Sequence, residues 1–581
     1  MKNFNQHTLV LFFFCLFISA CSSYKPDSSQ VTLWILSDPQ QINPILAADA
    51  AGQAIQNNIF QPLMNFDFRT LKLVPVLADS MPLVKRDDKG QMLITMEIRK
   101  EAKWDNGSPV TAKDVEFTLK VIKNTTVNDE SLRSYYDMVN DIILYPDNPR
   151  KFTVVCDYMY MYGPISVGTN TFIIPEYAYD PTHQLQGFTV KQMHDDKNVN
   201  NDPKMVAFGK EFNSEKYSRD PKFISGSGAY KLIEWTTGQR IVLEKKKDWW
   251  GSSVSGSICF FEANPSKLIY QTVNDMTTAL VSLKAGNLDV INYIKPADFG
   301  DLAKSEKFTQ NFNTYKPVRL GYVFMGINIA DPKFADIRTR RAIAHLIDVK
   351  RIISDIYYGY AVQTDGPITL MDSMNYNHDI KSYDFNIDSA KMLLAAAGWK
   401  DSDGDGILDK QIDGKKTDFT IEYLFNSGNE QRKGAGLMLQ DAAAKVGIKV
   451  EVKPYDFNVY MDNLKNHKFD MFMSSWSIQP GPQDFTQVFR TTSALNRGSN
   501  WVSQGNAASD ALIDSIRIEM DENKRAGMYK RLQVMIHNDC GYIFICAPEA
   551  LMAISKKYSN VYPSSNNPYC WEAGFKTDAG K

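Results

Sequence analysis

The residues most suggestive of chemistry form an acidic run, Asp401-Ser402-Asp403-Gly404-Asp405-Gly406-Ile407-Leu408-Asp409. Carboxylates at positions 1, 3, 5 and 9 with glycine at 6 match the opening of a calcium loop: a hard cation takes oxygen ligands, and the glycine permits the sharp turn. Position 12, where a bidentate glutamate is expected, is Ile412, with Asp413 beside it. The plainer reading is an acidic, glycine-rich surface turn. A second run, Tyr158-Met159-Tyr160-Met161-Tyr162, alternates strictly. As a strand it puts three phenols on one face, fit to line a cleft or to be half-buried on a sheet. Catalysis lacks a carrier. The 7 histidines are scattered, with no HExxH, no Walker A sequence and no G-x-S-x-G elbow. Gly434 and Gly436 at a helix start are weak evidence for phosphate binding. An exported hydrolase would need a nucleophile–base pair that the sequence does not offer.

The elements that would position these residues alternate periods of two and 3.6, which indicates an α/β or α+β class. Thr111 caps a helix over 112–122 with Asp114 at its third position and Val115, Leu119 and Ile122 on one face. Asn274 or Asp275 opens a helix that buries Met276, Ala279, Leu280 and Leu283 and closes at Gly286, before a short strand at 288–291. Asp336, Asp348, Asp388 and Asp521 open others: to 347, to Gly359, over 389–397, and through Met528, Leu532, Met535 and Ile536. Strands are expected at 93–98, 152–156, 241–244, 419–424, 450–452 and 542–546. Residues 180–222 are polar and loop-like, an excursion or a domain edge.

A chain of 581 residues is too long for one compact core. Its 44% hydrophobic and 23% charged residues suit a soluble globular protein, and a formal charge of -2 argues against a nucleic-acid partner. Lys2 precedes an apolar run over 9–18, too short to span a bilayer core of roughly 30 Å. With the small residues after it, this run reads as a secretory signal over 1–20. Ile18-Ser19-Ala20-Cys21 resembles a bacterial lipobox, which implies Cys21 as the lipidated first residue of the mature chain; the alternative is an ordinary signal peptide. Residues 21–30 read as a polar tether. Ser22 differs from the aspartate of an inner-membrane retention signal, which leans towards the outer membrane in a cell that has one. Beyond Cys15 and Cys21 stand Cys156, Cys259, Cys540, Cys546 and Cys570, in no zinc-like spacing, as disulfide partners or buried thiols.

Several segments together resemble the bacterial extracellular solute-binding proteins of family 5, the oligopeptide, dipeptide and nickel class. They are Lys103-Trp104-Asp105-Asn106-Gly107 through Asp114-Val115, and Gly226-Ser227-Gly228-Ala229-Tyr230-Lys231-Leu232. A third is the block with Phe334, Asp336, Arg338, Arg341, Ala342, Ile343, Ile347, Asp348, Gly359, Ala361, Gly366, Pro367 and Ile368. The fourth is Asp388-Ser389-Ala390-Lys391 through Gly398-Trp399. Each is weak alone; their shared order is the signal.

The resemblance implies an α/β, bilobal periplasmic-binding-protein-like fold (type II, large peptide-binding cluster) with an extra subdomain and a two-segment hinge. Lobe I would comprise 31–75, 220–315 and 540–581, the subdomain 76–219 and lobe II 316–539, with crossings near 315–321 and 538–546. It implies no enzyme and no cofactor beyond the calcium just raised. The partners would be a peptide or peptide-like solute, ABC permease subunits and a membrane held through the lipid, with the protein a monomer. Residues carried over from the family are Ser474 and Ser475, then Trp476 and Ser477 on a cleft strand, with Gln479 where an aspartate for the ligand's α-ammonium is expected. A neutral amide pairs weakly with an ammonium. Asp484 or Asp38 takes over, or the ligand end is not a free amine. Asp38 and Gln41 sit in the first ligand-facing loop. The alternative for Trp476 is a core aromatic, and for the ligand a metallophore or oligosaccharide.

Overall fold

A computed structural model describes residues 29–577, apart from 47–48, 255, 257 and 496. The signal segment and Cys21 lie outside the described residues. Three sheets organise the chain. The first has seven strands and is built from Gln30–Ile35, Tyr230–Thr236, Arg240–Lys245, Lys267–Thr272, Val290–Ile291, Phe312–Tyr315 and Met552–Ser555. The second, with four strands, comprises Leu83–Arg86, Met92–Glu97, Val139–Tyr145 and Asn148–Cys156. The third has six: Gly321–Ile327, Ala361–Gln363, Thr420–Asn426, Lys449–Tyr455, Met471–Ser477 and Tyr542–Pro548.

Lys267–Thr272 alternates half-buried and buried positions, so one face takes the core. Gly321–Ile327 is buried at every position, as a central strand covered on both faces must be. One continuous apolar cluster joins lobe I to the subdomain. Lobe II has two, one on each face of its sheet. Mixed helices and sheets in two sheet-centred bodies make the α/β bilobal fold.

Helix starts follow local chemistry. Asp114 accepts from the Thr111 amide at 2.7 Å at the head of Ala112–Lys123. Asp275 accepts from Thr278 N ahead of Met276–Lys284, and Asp521 from Asn523 and Lys524 ahead of Glu522–Asp539. The cap of Ile387–Ala396 is Asn386 rather than Asp388. The helix opened by Asp348 turns into a π-helical stretch, Ile352–Ile356.

Three expectations give way. Residues 180–222 hold the helices Val190–Asp195 and Pro203–Phe212. Met193, Met205, Phe208 and Phe212 reach the shared core through an otherwise polar sequence. Residues 158–162 are not a strand but a bend and turn, because the ladder of Asn148–Cys156 with both neighbours ends at Cys156. Tyr542–Pro548 belongs to the lobe II sheet, paired with Gly321–Ile327 and Ala361–Gln363. The second crossing therefore follows Pro548 instead of lying at 538–546. The two crossings run side by side: Val318 bridges Glu549, Arg319 N donates to Pro548 O at 2.9 Å, and Ala550 N to Pro317 O at 2.8 Å. Cys156, Cys259, Cys540, Cys546 and Cys570 are all free and buried, and burial pushes the thiols of Cys156, Cys540 and Cys546 up to about 12. No described helix is long and apolar enough to cross a membrane.

Candidate functional site

The strand Met471–Ser477 pairs along its whole length with Gly321–Ile327. On its other edge the pairing with Thr420–Asn426 covers only Met471 and Phe472. From Met473 onward that edge meets no strand among the described residues, although Tyr460 caps the Met473 carbonyl at 2.8 Å. Backbone groups on an unpaired edge can accept an extended chain. Gly321 permits the close approach on the paired side. At φ +145° it lies in a region L-residues avoid, and a Cβ there would stand 2.3 Å from the Trp476 carbonyl oxygen.

Along this strand the nominated residues diverge. Ser475 and Ser477 are exposed, whereas Ser474 is 4% exposed and buried in lobe II. Trp476 is half-buried and stacks on Trp501, with centroids 4.9 Å apart at 22°. Its indole nitrogen and the Tyr542 hydroxyl both lie buried without a hydrogen bond of normal geometry.

Past the strand, lobe II meets the subdomain. Asp484 Oδ2 accepts from Tyr160 at 2.6 Å and from Arg517 Nε at 3.2 Å. Its Oδ1 accepts from the Thr486 amide and hydroxyl. The Arg517 guanidinium lies 5.2 Å from the Tyr160 ring centroid, and the Arg517 carbonyl takes the Met161 amide at 2.7 Å. Tyr162 donates to Gln479 Oε1 at a long 3.4 Å. Burial, then the Asp484 carboxylate, push the Tyr160 phenol up; burial pushes Tyr162 up to about 12. Both therefore stay neutral donors. The three tyrosine rings follow one another in tilted contacts, with centroids 6.4 and 6.3 Å apart. Gly481 fits against Phe66, whose ring would be 3.1 Å from a Cβ there. This rim is shut, and Asp484 is its clasp.

Asp38 is likewise engaged within its own lobe. Its oxygens accept from Thr272 at 2.7 Å, Gly238 N at 2.9 Å and the Trp235 indole at 3.2 Å. Burial works to raise its pKa, but the Gly238, Thr272 and Trp235 donors outweigh it and hold the carboxyl below its ordinary range. Gln41 Oε1 accepts from Ser218. Neither carboxylate that could substitute at Gln479 is left free, and sequence gives little signal of that, because the Asp38 partners and, apart from Thr486, those of Asp484 are distant in the chain.

The acidic loop converges partly. Ligand oxygens of Asp401, Asp403 and Asp405 lie within 4.8 Å of one another, all three exposed. Asp409 turns inward to Ser402 at 2.7 Å, Asp403 pairs with the Lys416 ammonium, and Asp401 accepts from Gly404 N and Gly406 N. These are the bonds of a tight acidic turn, and a lysine charge already stands against it. A cavity of about 320 Å3 lies wholly in lobe II, against Phe489, Gln504, Leu532 and Ile536, and touches none of the residues above.

Comparison with known proteins identifies the family and the fold. Residues 72–496 match the family described as bacterial extracellular solute-binding proteins, family 5 Middle. The oligopeptide-binding protein AppA of Bacillus subtilis is 27% identical over 570 residues, covering 94% of this chain and 93% of its own. Its solved structure with a nonapeptide superposes with a TM-score of 0.66, covering 92% and 96% of the two chains at 25% identity. NikZ of Campylobacter jejuni, solved with Ni(L-His), shares the fold at a TM-score of 0.68 and 19% identity, covering 92% and 96%. The chain belongs to the bacterial extracellular solute-binding proteins of family 5, non-enzymatic binding proteins of ABC importers.

Proposed function

We propose that this protein captures peptides between its two lobes and hands them to an ABC permease, tethered to the cell envelope by a lipid on Cys21. The carrying observation is the bare edge of the strand after Phe472, beside the paired crossings. A peptide added there as a strand gains main-chain hydrogen bonds whatever its side chains, with Ser475, Ser477 and the Trp476 ring at its flank. Rocking about the two crossings opens the cleft, and the Tyr160–Asp484–Arg517 clasp closes it. The peptide-binding relatives support this reading.

The test is a melting curve of the mature protein with a random-sequence peptide library, since a ligand at 100-fold its Kd adds about 2.7 kcal/mol. Peptides should raise the Tm; no rise at saturating library would defeat the proposal. Lipidation is tested separately: Cys21→Ser should move the protein from the membrane to the soluble fraction.

A second reading within the same fold, a metallophore or oligosaccharide as solute, is favoured by Gln479 and by the engagement of Asp38 and Asp484. Among the relatives are a heme-binding protein of Haemophilus influenzae and NikZ with its nickel–histidine complex. A Tm raised by such solutes and not by peptides would select it.

A further inference from the structure

Among the described residues, the first crossing carries a cation with no ion-pair partner. Arg319 is half-buried, and among the described residues its Nε is enclosed without an acceptor and the guanidinium enters no ion pair. Two rings flank it: its carbon lies 5.4 Å from the Tyr293 centroid and 5.7 Å from that of Tyr569. Both rings belong to lobe I, and Tyr293 is 41% exposed. The nearest carboxylate in sequence pairing, Glu549, turns to Lys316 at 3.8 Å instead.

Everything around Arg319 fixes it without neutralising it. Its amide is tied to Pro548 O, so its place is set by both crossings at once. Cation–π contacts orient a guanidinium while leaving its donor edge unused. Two residues on, Gly321 pairs with Ser477, at the end of the unpaired edge. An unused fork of N–H donors at the base of a cleft matches a carboxylate held by two parallel bonds.

We propose that Arg319 anchors a carboxylate of the captured solute, with Tyr293 and Tyr569 as its side walls. This rests on the peptide reading above, and it names the chemical group of the ligand that is recognised. The carboxylate is either a peptide C-terminus or an acidic side chain.

The experiment compares native and Arg319→Gln protein, by native mass spectrometry, against three random-sequence libraries. The first lacks Asp and Glu and has free C-termini; the second is the same library C-amidated; the third is amidated but contains Asp and Glu. Native protein should favour the first over the second by about tenfold or more, the loss of a charge-assisted pair. Arg319→Gln should bind both alike. Arg319→Lys should fall between, since it keeps the charge and loses the fork. If the third library shows the Arg319 dependence and the first does not, the anchored group is a side-chain carboxylate. A free-acid preference unchanged in Arg319→Gln overturns the anchor, as does equal binding of all libraries by native protein, which leaves peptide capture standing. Failure of native protein to bind any library overturns both. An unaltered Tm of the ligand-free variant shows that the change is not one of folding.

Discussion

The rim of the cleft and its base contrast in how fully their polar groups are engaged. At the rim, Asp484 has a donor on each oxygen, from Tyr160, Arg517 and Thr486. At the base, Arg319 has two rings and, among the described residues, no acceptor. Both are charged residues where lobe II meets the rest of the chain, Asp484 against the subdomain and Arg319 on the first crossing. A charge satisfied by its own protein holds the fold or closes it; a charge left unsatisfied but fixed is available to a guest.

Substitutions can break this contrast. The largest effect is expected from Gly321→Val, which drives a branched Cβ towards the Trp476 carbonyl at a backbone angle Val avoids. A loss above about 3 kcal/mol is expected in denaturant unfolding; a neutral result would show that the two strands are not so closely apposed. Trp476→Ala should cost about 2–3 kcal/mol of stability through the lost Trp501 stack and weaken peptide binding, while the protein still folds. A mutant that no longer folds would make Trp476 a core residue alone.

Asp484→Asn should weaken the closed state by about 2 kcal/mol, the order of a charge-assisted bond. Small-angle scattering of the liganded protein should then show a more open form. Acetylating peptide N-termini should change affinity less than about twofold, because Asp38 and Asp484 are both already engaged by their own protein. A strong loss on acetylation would mean that Asp484 leaves Arg517 to bind the ligand.

The smallest effect sharpens the contrast by a control. Asp129, in the subdomain, also has an unpartnered oxygen, but it is fully enclosed and paired to Arg133. Burial pushes its carboxyl up to about 7 despite Arg133. The folded state then holds this proton to higher pH than the unfolded chain, whose carboxyl titrates near 3.8. Its contribution to stability is full below that value and is lost as pH rises through about 7. Asp129→Asn should flatten the fall in Tm over that window and leave peptide affinity unchanged. An altered affinity would refute the division between enclosed and cleft-facing charges.

How much of this was legible in sequence follows the range of the interactions. Asp114, Asp275 and Asp521 sit within three residues of the amides they bond, so the caps could be read directly. The partners of Asp38, by contrast, lie 197, 200 and 234 residues away, and nothing local says that it is already engaged. Tyr542–Pro548 is a short apolar run that would suit either sheet, so its assignment to lobe II, and with it the second crossing, needed the pairing with Gly321–Ile327. The alternation at 158–162 described the tyrosines but not their turn, because it is the end of a ladder that decides the turn. Arg319 carries no motif at all; only the lack of an acceptor among the described residues marks it.

The most direct test of the whole account is amide hydrogen exchange over residues 473–479 with and without a bound peptide library. Strand addition predicts that binding slows exchange at the unpaired edge of Met471–Ser477 and at the two crossings. Peptide binding that leaves this segment exchanging as fast as in the free protein would contradict it.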